Sequence, residues 1–268
     1  MRYIILFGAL ALSFSAEAHR AWIKPDATVI SKENAWVTFE AAVSNEIFAR
    51  DHVAFRLNGV VALAPNGQPL ELQNAHTGKL RSVFDLQLTE NGTYKVVTAS
   101  QNLQARWVDA NGERQFWPGR GVTPKPGDFE REVPKQAQDL TITEYSRRIE
   151  TFVTNGAPSD TVLAPTNQGF EVIPVTHPND LYAGETAEFK VLFDGKPVAG
   201  AEVTVIREGM RYRAQQEEQT VTSNGAGEFS VTWTEAGQYF MEAEYQDDQG
   251  KAPATQRRGS YGAVFEVL

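Results

Sequence analysis

The chain contains no cysteine among its 268 residues. That excludes disulfides, thiolate metal sites, cysteine nucleophiles and a lipoprotein anchor. Long apolar runs are also lacking. The one apolar stretch, Tyr3 to Phe14, falls short of the roughly 20 residues that span a bilayer. No second such run follows, so no transmembrane segment is expected in the mature chain. HExxH, EF-hand, P-loop, GxSxG and dinucleotide-binding patterns are missing too, and no enzymatic activity is expected. Histidine is scarce, with four in all, so each can be weighed singly. A net charge of −9 argues against nucleic acid or anionic lipid as the main partner and mildly favours cations.

What is present begins at the amino end. Arg2, the apolar stretch and Ala16-Glu17-Ala18 have the form of a secretory signal peptide with a small-residue cleavage site. Residues 1–18 are therefore expected to be removed. An exported, disulfide-free product points to a Gram-negative periplasm. Cleavage after Ala18 makes His19 the first residue. Such a histidine offers two nitrogens, its α-amine and its imidazole Nδ1, which together can chelate a transition metal. Nitrogen donors of this kind suit copper, nickel, cobalt, zinc and iron, with nickel, cobalt or copper the expected ion.

Alternation and turn signals dominate the rest, which predicts an all-β fold. Strands are expected at 35–41, 53–57, 82–88 and 93–97, with Glu90-Asn91-Gly92 closing a hairpin between the last two. A second series runs through 187–193, 201–206, 227–233, 238–243 and 262–267. The chain thus divides into two immunoglobulin-like β-sandwich domains, 19–100 and 167–268. Residues 101–166, interrupted by Trp117-Pro118-Gly119 and Pro124-Lys125-Pro126-Gly127, are expected to be an irregular connection. Length and composition, 41% hydrophobic and 22% charged, fit two globular domains.

Four histidines carry the candidate chemistry. His19 is singled out by its position after the cleavage site. His52 precedes a strand and has Glu46 and Asp51 nearby, either of which suits the carboxylate that orients a metal-bound imidazole. His177 lies in Thr176-His177-Pro178-Asn179-Asp180. That segment is explained equally well as an Asx-type turn or as a ligand at the junction of the two domains. His76 is expected in an exposed polar loop. Trp22, three residues after His19, is the aromatic expected to pin the terminus. Carboxylate pairs such as Glu217-Glu218 and Asp247-Asp248 have the form of solvated faces.

Several segments together resemble a bacterial exported family labelled as a periplasmic component of nickel or cobalt uptake. They are His19-Arg20-Ala21-Trp22-Ile23-Lys24-Pro25, Asp51-His52 after Ala42-Val43-Ser44-Asn45, and Glu150-Thr151-Phe152-Val153-Thr154 with Gly156-Ala157-Pro158. Thr176-His177-Pro178-Asn179-Asp180-Leu181 and Phe193-Asp194-Gly195-Lys196-Pro197 complete the set. The resemblance implies a two-domain β protein in the periplasm, acting beside an outer-membrane receptor or an inner-membrane transporter. It also implies His52 and His177 as companions of His19. The expected function is transition-metal binding for uptake or delivery. The alternatives are an interaction module without metal, or a copper-dependent oxidase.

Overall fold

The computed structural model describes residues 19–119 and 121–268; the expected signal peptide, residues 1–18, lies outside them. The first half opens with β1 (Arg20–Pro25), β2 (Val29–Ile30), β3 (Ala35–Ser44), β4 (Val53–Ala54), β5 (Val61–Leu63), β6 (Pro69–Leu70), β7 (Gln73–Thr77) and β8 (Ser82–Leu88). The long β9 (Gly92–Val108), β10 (Arg114–Trp117) and β11 (Gln138–Asn155) follow, with helix α1 (Asp128–Glu132) between the last two. The second half holds β12 (Phe170–Pro174), β13 (Thr186–Phe193), β14 (Lys196–Pro197), β15 (Glu202–Arg207), β16 (Gln219–Thr222), β17 (Glu228–Thr232), β18 (Gly237–Asp247) and β19 (Gln256–Val267). No helix among the described residues is long and apolar enough to cross a membrane.

The all-β expectation holds, and so do two sandwiches, but they share a sheet. A ten-stranded central sheet runs β16-β15-β18-β19-β11-β9-β5-β6, with β10 on β9 and β2 on β11. A first outer sheet, β1-β3-β8-β7 with β4, packs Ile23, Val37, Phe39, Phe84 and Leu86 against Ala62, Tyr94, Val96, Ile149 and Val153. A second, β12-β13-β14 with β17, packs Phe170, Phe189, Val191 and Val231 against Val205, Met241, Tyr261 and Phe265. Strand β11 serves both cores, because successive side chains point to opposite faces. Ile149 and Val153 enter the first, Phe152 the second. The outer sheets therefore lie on opposite faces of the central one.

Residues 101–166 are accordingly not the irregular connection expected. Most of the stretch is strand, and β9 and β11 pair antiparallel from Gly92–Asn155 out to Val108–Gln138. Two different environments hid this. From Arg148 to Asn155 the strand is buried on both faces, so it shows no alternation. Its outer half forms a polar arm with β9 and β10, whose own small core is Ala105, Trp117 and Val133.

The expected hairpin at Glu90-Asn91-Gly92 is also absent. β8 and β9 belong to different sheets, and the turn is a corner carrying the chain between them. Gly92 adopts φ 134° and presses on Pro65, leaving no room for a Cβ. The Tyr94 hydroxyl donates to the Glu90 carbonyl at 2.9 Å and accepts the Glu90 N–H at 2.8 Å. The second half repeats this device. Gly237 has φ 138°, and the Tyr239 hydroxyl donates to the Glu235 carbonyl at 2.8 Å. Such tyrosine corners recur in immunoglobulin-like sandwiches. Glu90-Asn91-Gly92-Thr93-Tyr94 and Glu235-Ala236-Gly237-Gln238-Tyr239 are thus one motif used twice. The last strands of the two halves, β11 and β19, pair in parallel from Thr143–Gln256 to Thr151–Val264. Equivalent strands side by side, parallel, with cores on opposite faces, are what a twofold axis along the strands produces. The chain is a pseudo-symmetric pair built from one sandwich plan.

Candidate metal centre

Strand β3 brings the two amino-terminal candidates together. Arg20 opposes Ser44 on one side of β3, and Val53 opposes Val43 on the other. His19 and His52 therefore emerge beyond the same end of β3. Their imidazoles stack with centroids 4.0 Å apart and planes inclined by 21°, and both residues are exposed.

Both histidines are carried on fastened backbone. Trp22 is fully buried, donates from Nε1 to Ser44 Oγ at 3.1 Å, and meets the Phe48 ring edge-on at 5.4 Å. Phe48 holds φ 61°, a conformation non-glycine residues adopt only when their surroundings impose it. The loop 45–51 is closed by the Asn45 N–H donating to Asp51 Oδ1 at 2.9 Å, and Arg50 Nε donates to Glu40 at 2.9 Å. Against the upward pull of desolvation, the backbone amides of Asn45 and Glu46 hold the Asp51 carboxyl below its usual range. Asp51 thus secures the loop bearing His52.

Residues far away in sequence complete the surroundings. A groove of about 170 Å³ beside His19 is lined by Tyr145, Arg147, Glu242, Glu244 and Arg258 among others. Arg20 Nε donates to Glu242 at 3.0 Å. Sequence reasoning missed these carboxylates. Their signal was the alternation of β18, which turns Met241 and Ala243 into the core and Glu242 and Glu244 away from it. Among the described residues, no three His, Asp, Glu or Cys side chains gather as a metal cluster. Two imidazoles and whatever nitrogen the His19 backbone supplies are the donors this end of β3 presents.

His177 is placed elsewhere and has a different task. Its Nδ1 accepts the Asn179 N–H at 3.2 Å, which leaves Nε2 to carry the proton and donate to Thr93 Oγ1 at 2.9 Å. Thr93 Oγ1 lies 3.0 Å from Thr154 Oγ1, which donates to Asn179 Oδ1 at 2.8 Å. Both ring nitrogens are spent on a network joining the starts of β9 and the 176–180 turn to the end of β11. The His177 imidazole is thus engaged in the turn and the network around Thr93, and not with His19. His76 is exposed as expected, although it lies on edge strand β7 rather than in a loop.

Burial holds the His177 imidazole below its ordinary pKa, with Asp160, a hydrogen bond to the Ser159 backbone and Asp180 pulling the other way. The folded state thus resists a proton that the unfolded chain accepts near pH 6.5. Stability attributable to this residue is complete above that pH and falls as acid takes the unfolded histidine through its titration. Urea unfolding between pH 7.5 and 5.5 is expected to show a steeper loss for the native chain than for His177→Gln. Parallel profiles contradict this assignment.

The fold and this site define an all-β protein of two sandwiches joined through one sheet, with a histidine pair at the start of its first strand. The chain belongs to the family described as a domain of unknown function, DUF4198, whose model matches residues 16–247. No curated protein matches the sequence. Solved structures with some likeness include the D0-D1 domain of intimin, at 13% identity and TM-score 0.24, covering 92% of this chain and 97% of that one. A DUF4785 family protein from Legionella pneumophila shows 10% identity and TM-score 0.24 over 83% of this chain and 50% of its own. A DUF3823 family protein from Bacteroides uniformis shows 10% identity and TM-score 0.24 over 94% and 99%. Scores this low transfer nothing from those proteins to this one.

Proposed function

We propose that the processed chain is a periplasmic protein that binds a transition metal ion, nickel, cobalt or copper, for uptake or delivery. The observation that supports this reading is the contact of the His19 and His52 rings at 4.0 Å. Once Ala18 is cleaved away, the His19 α-amine and Nδ1 close a chelate, and the His52 imidazole supplies a third nitrogen. Because ring lone pairs lie in the ring planes, a shared ion requires the stacked rings to turn about their side-chain torsions. Three nitrogens in this arrangement favour copper(II) or nickel(II), which prefer square-planar or tetragonal shells. Water fills the remaining position.

The test begins with protein exported through its own signal and carrying no amino-terminal tag. Amino-terminal sequencing is expected to read His19 first. Titration with copper(II), nickel(II) and cobalt(II) is expected to show one tight site, with nitrogen hyperfine structure in the copper spectrum. His19→Ala abolishes tight binding, and so does acetylation of the His19 α-amine, which removes that nitrogen as a donor. His177→Ala leaves the affinity unchanged. Unaltered affinity in His19→Ala, or a mature start at another residue, overturns the proposal and favours an interaction module serving a membrane receptor or transporter.

A further inference from the structure

We propose that the uncovered edge of β9 between β5 and β10 receives a short extended segment of a partner protein, added as a strand and bearing acidic side chains at alternate positions. One edge of β9 pairs with β11 along its whole length. On the other edge, β5 covers only Val97 to Lys95 and β10 only Val108 to Ala105. Among the described residues no strand pairs with this edge from Thr98 to Gln104. In an antiparallel ladder every second residue turns both its N–H and its C=O away from its partner, so this stretch presents a row of open backbone groups. The equivalent strand of the second half is better covered, since β15 pairs with β18 over six positions, from Glu202–Glu244 to Arg207–Tyr239.

Natural sheet edges are guarded by charge, proline or a bulge. Here Thr98-Ala99-Ser100-Gln101-Asn102-Leu103-Gln104 carries no charge and no proline, and its pairing with β11 keeps register throughout. The opening is bounded at both ends by strands of the same sheet. It therefore admits about seven extended residues, roughly 23 Å, and no more. Pairing with the β9 of a second copy does not fit, because that strand continues past both ends and would run into β5 and β10. The occupant must be a short strand whose chain leaves the sheet on either side.

Charge selects its composition. Cross-strand partners project to one face, which places Thr98, Ser100, Asn102, Gln104 and Arg106 beside Thr141, Thr143, Tyr145 and Arg147. On β9 and β11 that face carries two arginines and no carboxylate. Glu242 and Glu244 further along it are already paired with Arg20 and Arg258. A strand with acids at every second position therefore complements it. Main-chain bonds supply the affinity and the arginines the choice of side chain, as in other strand-addition complexes.

The probe is the capped peptide Thr-Asp-Val-Asp-Val-Asp-Thr, titrated into the full chain and followed by amide hydrogen exchange. Alternate amides between residues 98 and 104 are expected to slow by about tenfold or more as the site fills. Arg106→Glu is expected to weaken the acidic peptide by about tenfold and to favour its lysine-for-aspartate counterpart. Asn102→Asp acts in the same direction without touching an arginine. Unchanged exchange along this edge, protection only elsewhere, or indifference to both charge changes overturns the proposal. The metal site takes no part in this measurement, so the outcomes of the two proposals stay separate.

Discussion

Replacing Glu150 by alanine is expected to destabilise the protein by about 3–5 kcal/mol, the usual result of breaking a buried ion pair by removing one partner. For a chain of this size that lowers the melting temperature by on the order of 10 °C or more. Glu150 is almost wholly buried on β11 and lies 3.6 Å from Lys95 Nζ and 3.7 Å from Arg148. Its Oε1 accepts the Tyr261 hydroxyl at 2.9 Å. Arg148 also reaches Glu171 at 3.5 Å, and Glu171 accepts the backbone N–H groups of Thr166 and Gln168. Two cations and two carboxylates thus balance inside the second sandwich. Alanine at 150 leaves Lys95 without its partner in a medium that penalises lone charge. Glu150→Leu combined with Lys95→Met removes both charges at once and is expected to recover most of the loss. Thermal unfolding of the two single variants and the double variant measures the coupling. A double variant as unstable as the sum of the singles contradicts the pairing.

Trp22→Ala is expected to cost about 3–5 kcal/mol, the range for truncating a buried aromatic. Trp22 does more than fill a core. It packs with Ala42 and Ile47 on its own side and with Ile206, Phe240 and Val264 from the second half. The substitution therefore loosens the seam between the halves as well as β1. It also removes the ring against which Phe48 rests and the donor to Ser44, two of the ties between the carriers of His19 and His52. Metal affinity is expected to fall in a folded Trp22→Ala protein at low temperature, whereas Trp22→Phe, which keeps the ring, retains more of it. Comparing melting curves with metal titrations of both variants separates the two effects. Equal affinity in all three proteins would show that the terminus is held by other contacts.

Which parts were legible follows from where each residue faces. β3 and β8 each bury one face in the first core, and their alternation announced them. β11 could not be read, since it is buried on both faces at one end, while at the other Leu140 and Ile142 are only half-buried against the small core of the arm. The corner at Gly92 carries the same Asn-Gly signal as a hairpin; only the sheet to which β9 belongs distinguishes them. At the site, His19 was visible because processing makes it special, and His52 because acids surround it. Asp51, one of two acids beside His52 in the sequence, spends its carboxylate on closing the loop. His177 was ambiguous between turn and ligand, and hydrogen bonds to Thr93 and Asn179 decide for the turn. Glu242 and Glu244 approach His19 only through the parallel join of β11 and β19, a contact no local pattern encodes.

That join also orders events in time. Residues 143–151 find their neighbours at 256–264, so the half synthesised first keeps an incomplete sheet until residues 256–264 have emerged. Until then β11 stands with an open edge, the exposed state in which strand pairing goes astray. Closing a parallel pair across more than a hundred residues is slow, because loop entropy is spent before any contact repays it. The first sandwich can fill its core from residues 21–153 alone, but the edge of β11 is shielded only when β19 docks on it.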